Sequence, residues 1–158
     1  MARLYFTEIP RLTDRKTMHA AEHRAGRRLL CDVLGCGEEQ VLLRADGKPY
    51  LPGGSYFSIS HADGLVLLAV SGRGEIGCDT ERLDRPLRSE AAIRRKIALP
   101  GEEDVPLLKL WVKKEAVFKA GGEGNVFFPD VLDGYIVAIC CCANEGIELI
   151  ERWEGCAP

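Results

Sequence analysis

Leu65-Val66-Leu67-Leu68-Ala69-Val70, then Ser71-Gly72-Arg73-Gly74, then Glu75-Ile76-Gly77-Cys78-Asp79-Thr80-Glu81 is the stretch on which the fold turns. The first segment reads as a continuous apolar strand, the glycine-containing quartet as a turn, and the third as a second strand. Upstream, Tyr56-Phe57-Ser58-Ile59-Ser60 alternates like a half-buried strand with His61-Ala62-Asp63-Gly64 as its exit turn. Pro52-Gly53-Gly54 breaks the chain, and residues 41–44 and 48–51 read as a hairpin around Asp46-Gly47. Before that, Met18, Ala21, Ala25, Leu29, Val33 and Leu34 recur at helical spacing, so residues 14–34 are predicted to form a helix that Gly35 ends. Downstream, a short helix is predicted over 89–98. A longer one follows over 107–120, with Leu107, Leu110, Trp111, Lys114 and Phe118 along one side and Gly121-Gly122 as its stop. Residues 135–142 and 147–151 look like a closing hairpin around Ala143-Asn144-Glu145-Gly146. The order of elements predicts an α+β fold of two similar lobes, 1–74 and 75–158.

The 158 residues, 46% of them apolar and 28% charged, are ordinary for a globular chain and exclude wholesale disorder. The longest unbroken apolar run, residues 135–143, falls far short of the ~20 residues of a membrane-spanning helix. The first residues lack the apolar core of a secretion signal, so the expectation is a cytoplasmic protein that does not engage membranes. Seven cysteines, three of them consecutive at 140–142, show no paired Cys-x-x-Cys spacing and read as free thiols in a reducing compartment. The formal charge of −3 is unevenly spread: residues 1–75 carry 10 bases against 9 acids, and residues 76–158 carry 11 against 15. Residues 11–28 hold six bases against Asp14 and Glu22. Such a segment suits an anionic ligand or an acidic partner rather than general nucleic-acid binding, and a solvated helix face accounts for the count equally well.

Three groups of residues carry candidate chemistry. In Ile76-Gly77-Cys78-Asp79-Thr80-Glu81, residues two apart share a strand face, so Asp79 and Glu81 project together. Two adjacent carboxylates repel unless a cation lies between them, and oxygen-only donors suit Mg²⁺; a solvated strand face is the bland alternative. In Trp111-Val112-Lys113-Lys114-Glu115-Ala116-Val117-Phe118-Lys119, Trp111, Glu115 and Lys119 form one helix stripe. At a core boundary, Glu115 suits a third metal ligand or a base and Lys119 a phosphate clamp; elsewhere the pair is an ordinary surface ion pair. Lys48 of Gly47-Lys48-Pro49, with Ser60-His61, supplies a cation and two hydrogen-bonding side chains near strand ends, where phosphates are often held.

In this order, Gly-Lys-Pro, Phe-Ser-Ile-Ser-His, Ile-Gly-x-Asp-x-Glu and Trp-x-x-Lys-Glu-Ala-x-x-Lys resemble the 4′-phosphopantetheinyl transferases, specifically the monomeric surfactin-synthetase-activator type. The resemblance covers residues 41 to about 132 and extends loosely upstream through Arg27-Arg28-Leu29-Leu30-Cys31-Asp32-Val33-Leu34. It implies a pseudo-dimer of two α+β lobes with coenzyme A in the cleft between them. It also implies that Asp79, Glu81 and Glu115 hold Mg²⁺ against the pyrophosphate of coenzyme A, that Lys119 contacts the phosphates, and that Arg27, Lys48, Ser60 and His61 bind the nucleotide end. The implied reaction moves the phosphopantetheine arm onto a serine of an acyl or peptidyl carrier protein, with Glu115, or a metal-bound water it orients, as the base. A monomer is expected. A non-catalytic coenzyme A-binding relative would lose a metal carboxylate, and all three stand here. A different Mg²⁺-dependent phosphotransferase would carry a P-loop, but Gly121-Gly122-Glu123-Gly124 lacks the Gly-Lys-Ser/Thr ending and follows a helix.

Overall fold

Asp14 starts the first helix because its carboxylate accepts the Thr17 backbone N–H at 2.7 Å, and Gly35 stops it by turning left-handed at φ 63°. The computed structural model describes residues 1–155. Their elements in chain order are β1 (Ala2–Glu8), α1 (Arg15–Leu34), β2 (Leu42–Leu43), β3 (Pro49–Tyr50), β4 (Tyr56–Ala62), β5 (Leu65–Ser71) and β6 (Ile76–Arg82), then α2 (Glu90–Ile97), α3 (Leu107–Lys119), β7 (Asn125–Phe127), β8 (Tyr135–Cys141) and β9 (Ile147–Arg152). The α+β class expected from the sequence holds. No helix among the described residues is long and apolar enough to cross a membrane.

Two sheets stack between two helices. The larger has the order β4-β5-β1-β9, the smaller β6-β8-β7, and β2 and β3 form a separate ribbon. Strand alternation assigns their faces. Leu4, Leu65, Leu67 and Ala69 of the larger sheet pack on Ile76, Cys78, Val137 and Ile139 of the smaller. The opposite face of the larger sheet, with Val66 and Leu68, buries Ala25, Leu29 and Leu30 of α1. The opposite face of the smaller sheet, with Ala138 and Cys140, takes Val112 and Ala116 of α3. β5, apolar at nearly every position, is buried everywhere but at half-buried Val70 because both of its faces are covered.

Several expectations give way. β9 does not close a hairpin with β8; it lies parallel to β1 in the larger sheet, with Leu4 opposite Ile150. β8 is already flanked by β6 and β7, so no edge remains for β9 there. The larger sheet therefore draws its fourth strand from the C-terminal part of the chain. Phe118, placed on the core side of the long helix by its spacing, is 78% exposed; small Ala116 meets the sheet instead, letting α3 approach closely. His61 is not a turn residue either. β4 runs on to Ala62, and Asp63 and Gly64, both at positive φ, make the two-residue turn into β5.

Candidate active site

The edges of the two sheets, β4 and β6, run side by side, and serine side chains join them where a backbone ladder is missing. The Cys78 N–H donates to Ser58 Oγ at 3.1 Å, and Ser60 Oγ donates to Asp79 Oδ1 at 3.0 Å. Asp79 is 7% exposed, so its charge demands compensation. Lys119 supplies it from α3, with Nζ 2.7 Å from Asp79 Oδ1, 3.1 Å from the Cys78 carbonyl and 3.4 Å from Ser60 Oγ.

This contact depends on Gly77. A Cβ there would lie 2.0 Å from the Ala116 carbonyl oxygen and 2.7 Å from the Ala120 nitrogen. The absent side chain is what allows the last turn of α3 to rest on β6 beside Asp79. One turn back on the same stripe, Glu115 is half-buried, and a further turn back Trp111 lies under the Arg85 guanidinium, 5.7 Å from the ring centre. Arg85 also pairs with Glu81. The stripe Trp111–Glu115–Lys119 thus meets β6 at both ends, through Arg85 to Glu81 and through Lys119 to Asp79, with Glu115 midway along it. The three carboxylates do not come within 4.8 Å as a set; Lys119 holds Asp79, and Arg85 holds Glu81.

Ser60 and His61, adjacent in sequence, face opposite ways. Ser60 stands opposite Leu67 and points to the sheet junction; His61 stands opposite Val66 and points toward α1. There its Nδ1 lies 2.7 Å from Glu22 Oε2, while the Gly64 N–H donates to Glu22 Oε1 at 3.0 Å. Burial pushes the Glu22 carboxyl upward, but these hydrogen bonds and the nearby imidazoles outweigh it and hold the group below its ordinary value. Partial burial, the rings of His61 and His19 and the Arg27 charge hold His23 below its ordinary value.

His61 and Glu81 line a cleft of about 730 Å³ between the start of α1 and the ends of β4 and β6, where Arg11, Arg82 and Arg85 are paired with Asp63, Asp84 and Glu81 and Arg15 has no ion pair among the described residues. Asp79, Glu115 and Lys119 are not among its lining residues. Lys48 lies elsewhere, beside a smaller cavity of about 270 Å³. Its Nζ donates to Glu75 Oε2 at 2.6 Å, the Lys119 carbonyl at 2.7 Å and the Ile76 carbonyl at 3.3 Å, so it ties the β2–β3 ribbon to β6 and the end of α3. Arg27 sits on the exposed face of α1, paired with Glu38 at 3.2 Å.

Two partners in these contacts, Glu22 and Arg85, lie outside the sequence motifs. Glu22 had a signal: it is an acid four residues after Met18 and three before Ala25, on a helix stripe that is otherwise apolar. Arg85 had none, since it lies in the turn after β6 and its role comes from tertiary contacts with Glu81 and Trp111.

The chain is similar to curated proteins that share one name for their activity. The 4′-phosphopantetheinyl transferase HetI of Nostoc sp. is 31% identical over 128 aligned positions, covering 67% of this chain and 54% of the relative. The 4′-phosphopantetheinyl transferase AcpT of Salmonella typhimurium is 30% identical over 111, covering 62% and 57%. The 4′-phosphopantetheinyl transferase gsp of Aneurinibacillus migulanus is 29% identical over 108, covering 62% and 45%. The chain belongs to the 4′-phosphopantetheinyl transferase superfamily. It spans about half the length of the curated relatives it matches. No family model matches the chain.

Within that superfamily, the carboxylate oxygens at the junction are of the type a hard divalent cation takes, although in this structure they do not converge and Asp79 and Glu81 are each held by a basic side chain. Asp79 and Glu81 present oxygen from one strand face and Glu115 from the facing helix, and Mg²⁺ characteristically takes one or two protein carboxylates with water and phosphate completing its shell.

Proposed function

We propose that this chain transfers the 4′-phosphopantetheine arm of coenzyme A to a serine hydroxyl of an acyl or peptidyl carrier protein, releasing 3′,5′-ADP, in a Mg²⁺-dependent reaction. The observation that carries the proposal is the Asp79–Lys119 pair, set by Gly77 beside Glu81 and Glu115 in a chain of this superfamily.

The P–O bond to the serine oxygen forms as the P–O bond to the departing 3′,5′-ADP breaks, and the serine proton must leave. Glu115, half-buried and without an ion pair among the described residues, takes that proton directly or through an ordered water. Asp79, Glu81 and Glu115 would hold Mg²⁺, which when bound would offset the negative charge of the diphosphate. Lys119, already held by Asp79 and the Cys78 carbonyl, presents a fixed ammonium to the phosphate oxygens, so little reorganisation is left for the moment of reaction. His61, kept in one orientation by Glu22, faces the cleft beside Arg11 and Arg15 and binds the nucleotide phosphate. The exposed bases of α1, Arg15, Lys16, Arg24, Arg27 and Arg28, meet an acidic carrier protein.

Mass spectrometry of an apo carrier protein incubated with the chain, coenzyme A and Mg²⁺ tests the reading. The carrier should gain the mass of one phosphopantetheine arm on its serine. A carrier left unmodified across fatty-acid, polyketide and peptide-synthetase types, with coenzyme A still bound, would instead identify a non-catalytic coenzyme A-binding relative.

A further inference from the structure

The chain has three histidines, and all of them meet beside the cleft. His19 and His23 stand four residues apart on one face of α1, and His61 reaches them from β4 across 38 residues of sequence. Their ring centres lie 4.4, 5.0 and 5.2 Å apart, and their ligand nitrogens all fall within 4.8 Å of one another. Among the described residues, this is the group whose donor atoms converge as a metal set.

Glu22 makes the cluster more than a coincidence of rings. It is 4% exposed, and both of its oxygens are used, one by the Gly64 N–H at 3.0 Å and the other by His61 Nδ1 at 2.7 Å. A carboxylate that holds one ring nitrogen fixes the tautomer and leaves the other nitrogen, Nε2, as the lone-pair donor, an arrangement common behind zinc-bound histidines. His61 is therefore held in one orientation, while His19 and His23 are exposed on α1. With Zn–N bonds of about 2.0–2.1 Å, the nitrogens of a tetrahedral set lie roughly 3.3 Å apart. Nitrogens that already lie within 4.8 Å of one another need to close by about 1.5 Å at most to reach that spacing.

We propose that His19, His23 and His61 form a three-imidazole site for Zn²⁺, oriented by Glu22 and leaving a fourth position open to the cleft. Imidazole donors favour zinc and its neighbours in the transition series, whereas the carboxylates at the sheet junction favour Mg²⁺. The two donor sets thus discriminate between two classes of cation within one molecule. The site rests on ligand geometry and not on the transferase reading, but it shares His61 Nε2 with the proposed nucleotide subsite, so Zn²⁺ and coenzyme A would compete and the metal is tested without coenzyme A.

The full chain, stripped with a chelator and kept reduced, is titrated with Zn²⁺ alone by calorimetry and with Co²⁺ as a spectroscopic probe. One equivalent should bind, excess Mg²⁺ should not displace it, and Co²⁺ should show the visible bands of a four-coordinate nitrogen–oxygen complex without thiolate charge transfer. His19→Ala and His23→Ala, both at exposed positions, should each weaken binding about tenfold or more. Glu22→Gln should weaken it while leaving the stoichiometry unchanged. No saturable equivalent in the wild type overturns the proposal. So does binding that survives His19→Ala and His23→Ala, or that brings thiolate charge transfer, since the metal would then sit on the cysteines.

Discussion

Gly77→Ala adds one methyl group at the point where α3 rests on β6. Its Cβ would stand 2.0 Å from the Ala116 oxygen and 2.7 Å from the Ala120 nitrogen, whereas ordinary contacts begin at 3.4 Å. The helix must therefore retreat by roughly 1.4 Å, and because both opposing atoms are backbone, no side-chain rotation relieves the clash. Overpacking of this kind costs about 1–3 kcal/mol, and the obligatory helix displacement places the change at the upper end. For a chain of this size, about 2–4 °C are lost per kcal/mol, so the thermal midpoint should fall by roughly 6–12 °C. The same retreat lifts Lys119 from Asp79, and a misplacement near 1 Å costs on the order of 100-fold in turnover. The control is Gly72→Ala in the turn between β5 and β6, where an added Cβ meets nothing within 4 Å and both readouts should stay at wild type. Thermal unfolding followed by circular dichroism checks the first number, and carrier-modification kinetics check the second. A Gly77→Ala protein that melts with the wild type would refute the close-approach reasoning whatever its activity.

Lys119→Ala should remove most turnover, about 100-fold or more as for other fixed electrostatic donors, with native circular dichroism retained; unchanged kinetics would exclude Lys119 from the chemistry. Lys48→Met deprives Glu75 and two carbonyls of one donor and should cost about 1–3 kcal/mol in a denaturant titration. A normal titration with a raised KM for coenzyme A would instead assign Lys48 to the nucleotide. Burial raises the Glu75 carboxyl, but Lys48 and Arg44 outweigh it and hold the group below its ordinary value of 4.5. Its contribution to stability is therefore complete above about pH 4.5 and lost as pH falls through the lower folded value. Glu75→Gln should flatten that acid limb, and an unaltered limb would remove Glu75 from it. The carrier's KM should rise with added salt if the bases of α1 form the docking face, and a salt-insensitive KM would discard that face.

The elements that could be read from the sequence are those whose signals are local. Asp14 and Gly35 cap α1 through contacts within a few residues, and the alternation of β4 and the apolar run of β5 show directly which faces are buried. β9 is legible as a strand but not its partner, because it pairs in parallel with β1 from the other end of the chain, and β1 is placed by that pairing and by its ladder with β5. The hairpin expected of residues 135–151 fails for the same reason. Ala143-Asn144-Glu145-Gly146 is a credible turn, but the vacant sheet edge lay beside β1, not β8. β7, with three residues, is too short to show a period.

The site divides along the same line. Asp79 and Glu81 project from one face as a period of two requires, but the period also separates Ser60 from His61, which sequence adjacency had joined. That separation has a physical consequence. Two sheet edges meeting without a backbone ladder leave buried polar groups to satisfy, and Ser58 and Ser60 satisfy them at Cys78 and Asp79. A valine at position 60 would strip Asp79 of its hydroxyl donor and leave Lys119 as its one compensating charge. The serines are therefore needed first to close the sheet junction. The buried Asp79 carboxylate, and with it the Lys119 ammonium fixed at 2.7 Å, follows from that closure. His61, on the other face, is free of that duty and is held by Glu22 for whatever enters the cleft.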